Sequence, residues 1–279
     1  MELLRELQLV ELEILKETLR FFEENNITYY ALGGTMLGAV RHKGFIPWDD
    51  DIDIGVPRED YERLLDLMDS LPETMKLCSF KKDKSYIYYF MRVEDGRYMV
   101  KSDRTEIEEV TPAWIDIFPL DGMPNGKLMR KLHGWNILFR RAVFQLSRFD
   151  QIVNTKRTNR PGHEKAIIWA AEHFHIQKLI SRQKAFDRLD RTLKKYPYRG
   201  SDYNLNAMGA YKLREMVDKK IFGDGAMYPF EDISIRGPVQ SDAYLTQLYG
   251  DWRTPADFEH HSVVEISRED NPAREGEKE

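Results

Sequence analysis

A single cysteine, Cys78, stands in a chain of 279 residues. A disulfide within the chain and a cysteine-based zinc centre are therefore excluded, and the composition fits a reduced, cytoplasmic compartment. No apolar run approaches the ~20 residues that a bilayer-spanning helix needs. Glu2, Arg5, Glu6, Glu11, Glu13 and Lys16 are spread through the N-terminal stretch, so it does not read as a signal peptide. A basic excess is missing too: 42 Lys and Arg stand against 47 Asp and Glu, a net charge of -5. Proteins that grip nucleic acid through its backbone carry the opposite bias, so that class falls away. What the chain does have is apolar material. With 42% hydrophobic and 12% aromatic residues it can build the core of one large domain or two small ones.

Leu3, Leu4, Leu7, Val10, Ile14, Leu15, Leu19 and Phe22 recur at helical spacing and predict an amphipathic helix ending at Asn25-Asn26. Residues 28–32 predict a short strand leading into Gly33-Gly34, with Thr35 capping a helical turn. A second strand is expected over 49–56, introduced by Pro47, and a helix over 58–68 starting at Pro57. Further strands are expected at 75–80, 86–93, 97–101 and 113–119. The segment 121–126 reads as a turn-rich boundary. Beyond it, 128–149 and 164–195 read as long helices rich in Lys and Arg. The expected architecture is α+β: a mixed β-sheet core with flanking helices over 1–125, a mainly helical region over 126–267 that contributes to the substrate site, and a charged, disordered tail over 268–279.

The chemistry concentrates in Asp49-Asp50-Asp51-Ile52-Asp53-Ile54. Side chains alternate along a strand, so Asp49, Asp51 and Asp53 share one face while Ile52 and Ile54 pack into a core from the other. By this parity Asp50 points away from the site. Carboxylates so close resist joint ionisation, and a hard divalent cation, Mg²⁺ or Mn²⁺, offsets the repulsion. A calcium loop is excluded, because its sixth position must be glycine and here is Ile54. Asp116, set between Ile115 and Ile117 as Asp53 is between Ile52 and Ile54, is the expected third carboxylate from a neighbouring strand. A structural ion pair with a buried arginine is its alternative role. Asp121, before Gly122, reads as a turn residue. Gly33, Gly34 and Thr35 lie between a strand and a helix start, where backbone N–H groups can receive a phosphate.

Gly-Gly-Thr followed by Asp-hydrophobic-Asp-hydrophobic resembles the nucleotidyltransferase signature. More closely, the run from Leu32-Gly33-Gly34-Thr35 through Pro47-Trp48-Asp49-Asp50-Asp51-Ile52-Asp53-Ile54-Gly55 is similar to the LicD family, which is related to the fukutin-type proteins. Residues 115–122 and Tyr249-Gly250-Asp251-Trp252 fit the same family. The spacing from Gly34 to Asp51 is longer than in nucleotidyltransferases at large and matches the LicD length. The resemblance implies a nucleotidyltransferase-like core and transfer of phosphocholine from CDP-choline to a cell-surface glycan such as a teichoic acid or lipopolysaccharide precursor. Relatives of this kind use CDP-ribitol. It further implies Asp51 and Asp53 as metal ligands, with Asp116 the third acidic residue.

On that basis Asp51, Asp53 and Asp116 are the expected catalytic and metal-binding residues. Gly33, Gly34, Thr35, Arg41, Lys43, Trp48, Asp49, Tyr249 and Asp251 are the expected substrate contacts. Arg41 and Lys43 suit either the CMP leaving group or ordinary loop solubility. A choline headgroup needs aromatic faces, and the sequence does not choose among Trp48, Trp114, Tyr249 and Trp252. His260-His261 reads as a surface pair or a group near the acceptor, and His173 and His175 read as helix-surface residues. The basic helices are either solvated faces or surfaces for an anionic membrane holding a lipid-linked acceptor. A metal-dependent nucleotide-sugar glycosyltransferase is the competing reading. It is disfavoured because only one helix and one short strand precede Asp51.

Overall fold

Helix α1 (Glu2–Glu24) forms where its periodicity predicts it, burying Leu7, Val10, Ile14, Leu15, Phe21 and Phe22. Its buried face also holds Gln8, Glu11 and Thr18, polar residues that the apolar spacing passes over. The computed structural model describes residues 2–102, 109–148, 180–254 and 263–268. His173, His175, His260, His261 and the tail from 269 lie outside the described residues, as does most of the stretch before Arg182.

After α1 come β1 (Tyr30–Ala31), α2 (Gly33–Arg41), β2 (Asp53–Pro57) and α3 (Arg58–Asp66). β3 (Met75–Cys78), β4 (Met91–Ser102) and β5 (Glu109–Met123) follow, and then α4 (Lys127–Leu146). The rest comprises α5 (Arg182–Leu193), β6 (Tyr203–Asn206), β7 (Met216–Asp218), α6 (Lys219–Phe222), β8 (Ala226–Phe230), β9 (Ile233–Gly237), α7 (Ser241–Tyr249) and β10 (Val263–Arg268).

The principal sheet is eight-stranded, with the path β1-β2-β5-β4-β10. β3 pairs with the first part of β4, and β10 with its second part. The β2–β5 pair is parallel and its neighbours are antiparallel, so the sheet is mixed, as expected of an α+β fold. Leu120 of β5 pairs with Pro57 on one side and with Asn206 on the other, which brings β6 and then β7 into the same sheet. Among the described residues of 126–267 the chain forms helices α4, α5, α6 and α7 and, alongside them, strands. Beyond residue 200 the chain adds strands, each of five or six residues or fewer, too short for periodicity to distinguish from loop.

Ile52, Ile54, Ile115 and Ile117 are fully buried in one core with α1. A second core beneath α4 and α5 gathers Phe80, Tyr89, Ile137, Phe144, Phe186, Leu189 and Leu205.

Local expectations change near the site. Residues 49–52 are irregular, and strand β2 starts only at Asp53. β1 offers just two residues to pair with, opposite Gly55 and Ile54, so nothing extends the ladder back to Asp49. Asp121 is not in a turn: β5 continues to Met123, and Asp121 is fully buried within it.

Candidate active site

The chain leaves β1 through Leu32 and turns into α2 at Gly33, whose φ of 48° lies in the left-handed region that glycine tolerates best. The Gly33 N–H donates to Tyr244 Oη at 3.1 Å, so it is already engaged. The N–H groups of Gly34 and Thr35 stand in the first helical turn, where a helix supplies no partners of its own. Thr35 does not cap this helix. Leu32 occupies the cap position, and the Thr35 hydroxyl accepts instead from the Asp53 N–H at 2.8 Å. The Asp53 carbonyl accepts from Leu32 N–H at 3.0 Å. Asp53 is thus locked on both sides by the segment that carries the glycines.

The glycine pair makes room for carboxylates. A Cβ on Gly34 would lie 2.5 Å from Asp49 Oδ2, and one on Gly33 would lie 3.3 Å from Asp53 Oδ2 and 3.7 Å from Tyr249 Oη. A side chain at position 34 would displace the Asp49 carboxylate, while one at position 33 would press on that of Asp53 and strain the left-handed backbone. The irregular loop before β2 is held from behind by α1, since Gln8 Nε2 donates to the carbonyls of Ile46 and Asp49 at 3.2 and 2.9 Å. In that loop Asp49, Asp50 and Asp51 can each place a carboxylate oxygen within 4.8 Å of the others. Asp50, assigned away from the site by strand parity, therefore joins the cluster: parity applies only where there is a strand.

Across the parallel ladder Asp53 is paired in register with Asp116, as the shared Ile-Asp-Ile pattern predicts. Asp116 Oδ1 accepts from Arg92 Nε at 2.8 Å, so the arginine partner considered for it exists as well. The Arg92 guanidinium lies 4.1 Å from the centre of the Tyr88 ring and 4.4 Å from that of Trp114. Trp114 thereby already serves a cation of this chain. Burial pushes the Asp53 carboxyl well above the usual carboxylate range, and the charges of Asp51, Asp116, Asp49 and Glu215 push it the same way. Asp53 is thus crowded by carboxylates from the preceding loop, the neighbouring strand and the 3-10 turn. Among the described residues, Asp49, Asp50 and Asp51 come close enough together to hold a metal ion, and hard oxygen donors of this kind suit Mg²⁺ or Mn²⁺.

Glu215 was not anticipated. It lies in a short 3-10 turn (Lys212–Glu215), is buried, accepts from Tyr211 N–H at 2.9 Å, and burial raises its carboxyl to about 7. Gln8, Arg92 and Tyr244 were also missed. Gln8 had a signal, being a polar residue on the apolar face of α1. Arg92 had one too, as a charge alternating with Met91 and Val93 opposite the Asp116 strand. Tyr244 and Glu215 had none, because their relation to the site is set by packing alone.

Tyr249 comes to the site: its hydroxyl stands over Gly33, and its ring meets Tyr211 edge-on at 5.3 Å. Asp251 is exposed and accepts from Thr254 Oγ1 at 2.8 Å. Trp252 is buried, with its indole N–H donating to Asp242 Oδ1 at 3.2 Å. Its carbonyl accepts from Arg41 at 3.0 Å. Arg41 lies at the opposite end of α2 from Gly33, about 12 Å along the helix. Lys43 is exposed in the loop beyond it, at φ 58°. Trp48 is half-buried and meets His42 edge-on at 6.3 Å.

Residues 26–146 match the family described as "LicD/FKTN/FKRP, nucleotidyltransferase domain", a span that runs from before the glycine pair to beyond Asp116. The lipopolysaccharide cholinephosphotransferase LicD of Haemophilus influenzae is 30% identical over 258 residues, covering 89% of this chain and 91% of that protein. An uncharacterized protein of Rickettsia typhi is 31% identical over 175 residues, covering 62% and 52%. Human ribitol 5-phosphate transferase FKRP is 43% identical over 53 residues, covering 18% of this chain and 11% of that protein. Similarity sustained over nearly the whole length of the Haemophilus protein places the chain in the LicD family of transferases.

Proposed function

We propose that this protein transfers phosphocholine from CDP-choline to a hydroxyl of a cell-surface glycan precursor, with Mg²⁺ or Mn²⁺ held by Asp51, Asp53 and Asp116. The observation that carries the reading is the register of Asp53 with Asp116 directly beside the glycine pair. On this reading, carboxylates for a cation would stand next to backbone donors for a phosphate. The similarity to the Haemophilus lipopolysaccharide cholinephosphotransferase supports phosphocholine as the transferred group.

In the transfer, the acceptor hydroxyl passes its proton to the Asp116 carboxylate as its oxygen forms a bond to the phosphorus that bears choline. The bridging P–O bond to CMP breaks in line with it. The first-turn N–H groups of Gly34 and Thr35 hold a phosphate oxygen, helped by the positive end of α2. Thr35, through its hydrogen bond to Asp53 N–H, fixes the acidic strand against the same helix end. Arg92 sets the orientation of Asp116. Asp51, Asp53 and Asp116 would hold a divalent cation, which would supply neutralisation of the charge on the diphosphate. The locked backbone of Asp53 costs no rearrangement at the moment of transfer.

The test is product analysis with Mg²⁺ over CDP-choline, CDP-ribitol, CDP-glycerol and nucleotide-sugars. The expected result is CMP release with CDP-choline and an acceptor glycan, lost on chelation. Nucleoside diphosphate released from a nucleotide-sugar would overturn the reading. Turnover with CDP-ribitol alone would keep the reaction and replace the donor, the second reading that the local similarity to FKRP favours.

A further inference from the structure

Helix α4 is apolar on two opposite faces. Ile137 and Phe144 point into the second core with Phe80 and Phe186, and His133 and Gly134 are buried alongside them. On the other side Leu128, Leu132, Trp135 and Phe139, one helical stripe, are each 54% to 69% exposed. The inner face already satisfies the core, so the outer stripe contributes nothing to the packing of the described residues. No described helix is long and apolar enough to cross a membrane.

Charge decides between occupants. Residues 127–148 contain Lys127, Arg130, Lys131, Arg140, Arg141 and Arg148 and no Asp or Glu, within a chain whose net charge is -5. On the helical wheel Lys127 and Lys131 flank the stripe on one side and Arg140 on the other. A second copy would bring the same cations face to face. An anionic bilayer instead matches both features, taking the apolar side chains at the acyl boundary and the cations at the headgroups. Tryptophan is suited to that interface.

We propose that α4 is a membrane-docking face that lies in the headgroup region of an anionic lipid bilayer, with Leu128, Leu132, Trp135 and Phe139 as its inserted residues. The docked helix would sit close behind the site. Arg141, on its inner side, donates to the carbonyls of Ala207 and Gly209 at 2.6 and 3.0 Å, and Gly209 packs against the Glu215 carboxylate. The inference rests on this helix alone and not on the identity of the donor.

The test is flotation of the full chain with phosphatidylcholine vesicles, with and without phosphatidylglycerol. Binding is expected only with the anionic lipid, and salt should weaken it. Lys127→Gln with Lys131→Gln should weaken it about 30-fold, from two cations near the surface. Leu132→Glu with Trp135→Glu should abolish it, while both double variants keep the parent's melting temperature. Brominated lipid should quench the parent's fluorescence more than that of Trp135→Phe. Failure of the parent to float, equal binding to neutral vesicles, or variants that float like the parent would each overturn the proposal. A dimer that Leu132→Glu with Trp135→Glu disperses, without vesicle binding, would assign the face to a second copy. Flotation reads binding alone, so its failure leaves the transfer reaction standing, and a failed transfer assay leaves the docking face standing.

Discussion

Asp116 and Asp121 share strand β5, and in sequence each stands among hydrophobic residues. Their surroundings are opposite. Asp121 is fully buried and gripped by Arg58, with Nε and Nη2 donating to its two oxygens at 2.7 and 2.8 Å. Arg58 also reaches Glu62 at 3.1 Å, and Lys81 and Lys194 approach Glu62 at 2.5 and 2.9 Å. In this network each negative charge meets a positive one. Asp116 accepts from Arg92 and stands in register with Asp53, around which further carboxylates crowd. Removing one partner of the buried Asp121 pair strands a charge, whereas crowding around Asp53 raises the cost of ionising it.

The comparison breaks most visibly at Asp53. Asp53→Asn should lower transfer about 10³-fold, the loss of several kcal/mol of charge stabilisation. It should nonetheless melt at or above the parent temperature in cation-free buffer at neutral pH. A raised carboxyl pKa means that the folded state disfavours the ionised form, a penalty that Asn does not carry. A lower melting temperature would make Asp53 a structural residue.

Arg58→Met should do the reverse, destabilising the protein by about 3–5 kcal/mol in chemical denaturation by stranding Asp121, while turnover per folded molecule stays near that of the parent. A large loss of turnover with unchanged stability would erase the distinction between the two clusters.

Acid titration gives the smallest effect. Burial pushes the Glu62 carboxyl up, but hydrogen bonds from Lys81 and Lys194 and the charge of Arg58 outweigh it and pull it down to about 2. A depressed carboxyl contributes stability that is complete above its ordinary value of 4.5 and lost as pH falls toward about 2. Glu62→Gln should flatten the stability curve over that window, leaving the variant less stable than the parent near neutrality and equal to it at low pH, where the parent's carboxyl is protonated.

Much of this was legible in advance, for identifiable reasons. The Ile-Asp-Ile repeats at 52–54 and 115–117 predict two strands with carboxylates on one face, and the structure sets them side by side. Helix α1 and the β1–glycine–α2 unit follow from local spacing and glycine tolerance. Periodicity failed where pairing, not pattern, decides. Asp49 to Asp51 alternate like a strand but have no strand beside them, so Asp50 could not be excluded from the cluster. Thr35 looked like a cap and is instead the acceptor for Asp53 N–H. Asp121 beside Gly122 looked like a turn because the partner that buries it, Arg58, is remote in sequence.

Alone, the sequence determined the residue types and local backbone of the site: two glycines before a helix, then a run of carboxylates backed by isoleucine. Short-range sterics and side-chain alternation suffice for that. Tertiary structure alone decided which carboxylates crowd around Asp53 and which one pairs with Arg58. It also brought Gln8, Arg92, Glu215 and the tyrosines of α7 to the same place. Electrostatic compensation depends on distances in space between residues far apart in the chain, and no local pattern carries those distances.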